Sequence, residues 1–218
     1  MLNLPAVASW FARRMRFLLV GGAILLLPLL LATLTPARQA TLPPATDPPP
    51  YSAVRLPENY RETFIHYATV DRRDQITRDI YISPDALVGY RPNRSLPDGT
   101  VVVIEGYYAQ TDADGQPLRD DDGHFVRGEP LEMVHVAEKR TNWSPGDFVG
   151  AARSGNWNFG SFQYDTGAYF DEIMSRCFDC HNSMDSTDFL YTFADVSRFA
   201  QNGLVRYSFC DLSGRSPC

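Results

Sequence analysis

The sequence predicts an α+β domain, a small antiparallel sheet packed with helices, preceded by one transmembrane helix. Three observations carry this reading. Strand-like segments fill the stretch up to residue 164 and helical patterning takes over from Asp171, the order typical of α+β domains with an antiparallel sheet. Asp-Gly pairs at 98–99, 114–115 and 122–123 punctuate the strand region, as turns between strands do. Residues 17–34, FLLVGGAILLLPLLLATL, form an uncharged run of 18 residues, close to the ~20 that a helix needs to cross a bilayer core.

Arg13, Arg14 and Arg16 precede that run, and no acidic residue occurs before Asp47. Positive charge stays on the cytoplasmic side. Residues 1–16 are therefore expected in the cytoplasm and everything after residue 34 outside, in the periplasm if the cell is a bacterium with an inner membrane. A cleaved signal has a shorter apolar core, about 7–15 residues, and a small-residue cleavage site. The following Thr-Pro-Ala-Arg-Gln-Ala is a poor site. An uncleaved anchor is favoured, with a cleaved signal as the alternative. Pro28 is tolerable in a membrane helix. Residues 35–55 contain Pro36, Pro43, Pro44, Pro48, Pro49 and Pro50 and read as an extended linker.

The folded domain is placed at residues 56–201, followed by a tail at 202–218. Residues 59–69 read as a short helix running into a strand, and residues 79–83 (DIYIS) as a second strand. Ser83-Pro84 has the pattern of an N-cap and first helical residue. Residues 100–109 (TVVVIEGYYA) are the clearest strand. Residues 131–137 (LEMVHVA) and 157–164 (WNFGSFQY) follow as further strands. The acidic stretch between the second and third Asp-Gly pairs is expected to be a solvated hairpin. Its ligand spacing does not fit a calcium loop.

Composition excludes little else. The formal net charge is −6, and without the three N-terminal arginines 17 basic residues face 26 acidic ones. A basic face for nucleic acid is not expected. An acidic domain suits a basic redox partner protein.

Chemistry enters at Cys177-Phe178-Asp179-Cys180-His181, which has the Cys-x-x-Cys-His spacing of c-type haem attachment. Two thiols on one helical turn can both add to the vinyl groups of one haem, and the histidine beside them then meets the iron as its proximal ligand. Four cysteines and four histidines in 218 residues would seldom produce this by chance. A zinc site, which needs a fourth ligand, and a thiol-redox pair at a helix start are the competing readings. The export signal weakens both. The sheet and helices are thus expected to enclose one covalently bound haem c. Cys210 and Cys218 remain as an even pair outside the cytoplasm, and a disulfide between them is expected; two free thiols in a tail are the alternative.

The other candidates concern the sixth position on the iron. Met133 and His135 share one face of their strand with Leu131, while Glu132 and Val134 share the other. Met133 or His135 would be a sixth ligand if the first face meets the haem. Met133 as core filler and His135 at a sheet margin is the preferred alternative. His124 is expected to be exposed, and His66 to pack with Phe64 and Tyr67. Met174 and Met184 flank the motif on the proximal side. Phe159, Phe162 and Tyr107 are expected in the pocket wall.

The chain resembles the cytochrome P460 and cytochrome c′-beta family from about residue 56 to 199. The resemblance rests on LPENYRE at 56–62, DIYIS at 79–83, DGTVVV at 98–103, GNWNF at 155–159, the haem motif, and then Asp188-Phe189 and Thr192-Phe193. It implies one haem with His181 proximal, an open or apolar distal side that takes small molecules such as nitric oxide, and a homodimer. Hydroxylamine-oxidising members cross-link a strand lysine to the haem, and the matching residue here is Ile104. The only lysine, Lys139, lies on another strand. Those members also use a distal carboxylate, which one register places at Glu132 and another replaces with Ala152. The resemblance therefore favours the uncross-linked, gas-binding branch. Whether the protein is an enzyme stays open, and an electron carrier or a haem-bearing accessory subunit of a membrane complex is the alternative function.

Overall fold

The computed structural model describes residues 53–92, 94–148, 152–170 and 174–211. The expected cytoplasmic segment 1–16, the anchor 17–34 and nearly all of the linker lie outside the described residues. Among those described, no helix is long and apolar enough to cross a membrane.

A short helix α1 (Tyr60–Thr63) leads into β1 (Ile65–Arg72), which pairs with β2 (Ile76–Ile82). Helix α2 (Pro84–Val88) follows, with Ser83 before it and Pro84 in its first turn. The expected cap differs in one respect. The Ser83 hydroxyl accepts from the Val101 amide at 3.1 Å instead of from α2, because β3 begins beside it. Strands β3 (Val101–Ala109), β4 (Arg127–Lys139) and β5 (Trp157–Gln163) extend the sheet. Between β3 and β4 the acidic stretch is a hairpin extension. Asp112 accepts from the amides of Asp114 and Gln116, and Asp120 from those of Asp122 and His124. These carboxylates stabilise their own turns. Helices α3 (Ser175–Asn182) and α4 (Phe193–Asn202) complete the domain.

Two expectations need correction. The sheet is mixed, with order β5-β4-β3-β2-β1-β6, and its sixth strand comes from the stretch read as a tail. β6 (Arg206–Cys210) runs parallel to β1, whereas every other pairing is antiparallel. It follows α4, which packs on β1 and stops at Gly203 in a left-handed conformation (φ 69°). A hairpin forces antiparallel pairing; entry through a helix does not. Cys210 ends β6, is buried and is disulfide-bonded, while Cys218 of the expected pair lies outside the described residues.

The sheet is covered on both faces. One face, carrying Val70, Ile80, Val102, Ala137 and Phe159, packs with Met174 and Phe178 near α3 and Val196 of α4. The other gathers Val103, Val134, Val136 and Phe162 beneath Val54 and Tyr60. A buried carboxylate sits within this second layer. Glu105 is fully buried and accepts from the Tyr60 hydroxyl and, at 2.6 Å, from the Tyr107 hydroxyl. Arg61 Nε lies 2.5 Å from it. The Arg61 guanidinium also stands 4.8 Å from both the Tyr60 and Tyr164 rings. Burial first, and then the carboxylate, push both the Tyr60 and Tyr107 hydroxyls upward, so they stay protonated donors.

Replacing Glu105 by Ala leaves two hydroxyls and a guanidinium without their shared acceptor. Hydrogen bonds to charged groups contribute about 1.5–3 kcal/mol, and Arg61 is partly solvated, which lowers its share. The Glu105→Ala variant is expected to lose about 2–4 kcal/mol in urea denaturation, with Glu105→Gln losing less.

Candidate functional site

A cavity of about 430 Å³ opens between the sheet, α3 and the segment leading into α4, within the range of ~300–1,000 Å³ usual for cofactor and ligand pockets. The sheet contributes Ile80, Val102, Ile104, His135 and Phe159, residues that alternate along their strands and so share a face. The helical side contributes Cys177, Cys180, His181 and the segment 190–192.

Helix α3 explains why the motif's three groups meet. Cys177 and Cys180 are three residues apart, and His181 follows Cys177 by four, which is one turn of an α-helix. Cys177 is half-buried and Cys180 is exposed. Phe178, between them, faces the other way and is fully buried against Phe159 at 5.0 Å between ring centres. It anchors α3 to the sheet and leaves the thiols at the cavity.

The His181 ring is held on three sides. Its Nδ1 donates to the Phe189 carbonyl at 2.5 Å. The Phe159 ring lies 4.5 Å from it, and Tyr191 meets it edge-on at 5.6 Å. A carbonyl can only accept, so Nδ1 carries the hydrogen and Nε2 keeps its lone pair. Burial pushes the imidazole below its ordinary pKa, which favours the neutral ring that binds metal. An Nδ1–H held by a backbone carbonyl is the usual support of a histidine that ligates through Nε2.

The Phe189 carbonyl is aimed by an uncommon backbone. Asp188 and Phe189 are both left-handed (φ 54° and 62°). Gly155, itself at φ 56°, lies beneath the Phe189 ring, where an added Cβ would stand 2.5 Å from the ring. Ser154, beside it and fully buried, donates to the Asn182 side chain at the end of α3.

The cavity also receives three arginines that the sequence reading passed over, Arg72, Arg78 and Arg176. Arg78 shares its strand face with Ile80 and Ile82, an arginine in an apolar alternation, and that was the available signal. Burial lowers Arg78 to about 10, with the Arg72 charge adding to it. Arg72 itself pairs with Asp74 at 2.6 Å.

The distal candidates separate. His135 lines the cavity and its Nδ1 lies 3.0 Å from the Ser161 hydroxyl. Met133 is half-buried and does not line it. Glu132 is exposed and Ala152 packs at the core margin, both outside the cavity lining. Ile104 does line it. Of the three expected wall aromatics only Phe159 is there. Phe162 belongs to the opposite layer, and Tyr107 is bonded to Glu105. Strand alternation explains this, since positions 159 and 162 differ by an odd number. His66 bonds with Thr69 and lies 3.3 Å from Asp79, away from the cavity. His124 is not freely exposed: it stacks on Tyr207 of β6 at 4.1 Å. Met174 is buried core, and Met184 is also outside the lining.

The donor set fits a covalent haem: two thiols one helical turn apart, an imidazole whose Nδ1 carries the hydrogen, an apolar sheet wall, and guanidinium groups suited to carboxylates. Among the described residues no group of three or more His, Cys, Asp or Glu side chains gathers as a metal site.

Gly155→Ala tests the wall beneath Phe189. The left-handed backbone and the clash together are expected to lower stability by about 1–3 kcal/mol, read as a drop in thermal midpoint.

A family model described as Cytochrome P460 matches residues 57–192, well over half of the chain. No curated protein matches it.

Proposed function

The chain belongs to the cytochrome P460 family, a family of haem-binding cytochromes, and from that premise we propose a membrane-anchored, periplasmic, mono-haem c-type cytochrome that binds or redox-processes a small ligand such as nitric oxide. The observation that carries this reading is the cavity bounded by Cys177, Cys180 and a His181 whose Nδ1 is already committed to the Phe189 carbonyl. Cys177 and Cys180 would hold the haem through thioether bonds and His181 would be its proximal ligand. Bound there, haem supplies an iron centre that takes small ligands and exchanges single electrons.

The chain's own groups favour a small guest. Val102, Ile104 and Phe159 keep their part of the cavity apolar, and Arg78 adds a positive charge that attracts an anionic or strongly dipolar molecule. The lysine cross-link of hydroxylamine-oxidising relatives has no counterpart in this reading. Ile104 stands at the matching place, and Lys139 is bonded to Asp188. The charge pattern around residues 17–34 supports the anchor and the periplasmic side.

A second reading, an electron carrier, rests on His135. It reaches the cavity from the sheet, opposite the helix that carries His181, and would saturate the iron as a sixth ligand.

The visible spectrum of the purified protein, oxidised and reduced, with and without nitric oxide, separates the two. A high-spin spectrum that changes with the gas is the expected result. A low-spin spectrum indifferent to the gas, converted to high-spin by His135→Ala, would establish the carrier instead. The Cys177→Ala, Cys180→Ala double variant is expected to lose covalent haem and with it much of its stability, since a bound group that fills the cavity stabilises only the folded state. Equal stability of variant and wild type would contradict this.

A further inference from the structure

The chain's only lysine is buried at the end of β4. Lys139 has 6% of its side chain exposed and Asp188 has 9%, with Nζ 2.8 Å from both carboxylate oxygens. Lys139 also donates to the Ser95 hydroxyl and stands 5.6 Å from the centre of the Trp157 ring. Asp188 accepts two further bonds, from Ser95 Oγ at 2.8 Å and from the Leu96 amide at 2.7 Å. The backbone behind the lysine is fixed as well, through Lys139 N–H to Thr100 and Gly99 N–H to the Lys139 carbonyl.

A buried ion pair of this kind contributes little net stability compared with an apolar pair, so stability alone does not account for it. Its position supplies one. Asp188 is the first of the two left-handed residues, and the second, Phe189, presents the carbonyl that holds His181 Nδ1. Neither residue is glycine, and L-residues seldom adopt this conformation twice in succession. The carboxylate of Asp188 is tied at four points to β4 and the 95–96 segment, which holds the turn in that conformation.

We propose that the Lys139–Asp188 pair is a positioning device for the axial imidazole. By holding the Asp188–Phe189 turn, it keeps the Phe189 carbonyl on Nδ1 of His181, and so sets the ring's orientation and the electron donation of Nε2 towards the iron. Lys139 and Asp188 touch neither the iron nor its guest; they act through Phe189. The proposal rests on the reading of His181 as the proximal ligand.

The test uses the full-length holoprotein. Lys139→Met strands a buried carboxylate and risks misfolding, so the principal variant is Lys139→Met with Asp188→Asn, which removes both charges together; Lys139→Arg is the conservative control. The readouts are the iron–histidine stretching band in the ferrous protein, the midpoint potential, and displacement of His181 by added ligand. In the double variant the band is expected to fall in frequency, the potential to move positive, and displacement to become about 10–100-fold easier, the usual effect of losing a ligand's outer partner. Lys139→Arg, which keeps the charge pair, is expected to stay near wild type in each. A folded double variant with wild-type band, potential and displacement would overturn the proposal and leave the haem reading intact. Wild-type protein with no covalent haem in a pyridine haemochrome assay would overturn both.

Discussion

The bond from His181 Nδ1 to the Phe189 carbonyl is the interaction on which the arrangement of this domain turns. It links the end of α3 to the loop before α4, decides which imidazole nitrogen faces the cavity, and depends on two consecutive left-handed residues. Those residues are held from two sides. Gly155 gives the Phe189 ring room to lie flat against the loop before β5, and Asp188 is tied to Lys139, Ser95 and Leu96. One hydrogen bond is thus supported by contacts from three separate parts of the chain.

The sheet separates two kinds of environment. Its cavity face is largely apolar, with Arg72, Arg78 and His135 reaching the cavity from β1, β2 and β4 and Ile104 of β3 between the last two strands. Its opposite face buries Glu105 among Tyr60, Tyr107 and Arg61. Residues 104 and 105 are adjacent in sequence and lie on opposite sides. A buried carboxylate next to an apolar cavity would disturb the chemistry there if the strand register slipped by one, because that slip exchanges the faces. The hydrogen bonds from two tyrosines and an arginine resist the slip by making Glu105 costly to move.

Much of the domain was legible in the sequence, for local reasons. The strands around residues 65–72, 79–83, 101–109 and 157–163 announce themselves by alternation and β-branched residues, and the Asp-Gly turns sit where the hairpin extension bends. Less legible was β6, because Arg206–Cys210 is short, follows a helix, and pairs with a strand some 140 residues earlier in the chain. The wall aromatics were partly misjudged. Phe159, Phe162 and Tyr107 are equally strand-like in sequence, and only the register of each strand against its neighbours assigns them to the cavity or away from it.

The sequence by itself determined the Cys-x-x-Cys-His spacing of residues 177–181 and the α+β class, since each depends on spacing within one turn or on the periodicity of one segment. Tertiary structure alone decided what surrounds them. It brought Arg78 and His135 to the cavity, kept Glu132 and Met133 out of it, and joined Lys139 to Asp188 across 49 residues. The physical reason is distance along the chain: a helical turn is written in neighbouring residues, whereas a buried ion pair or a cavity wall exists only once separate strands have found their register.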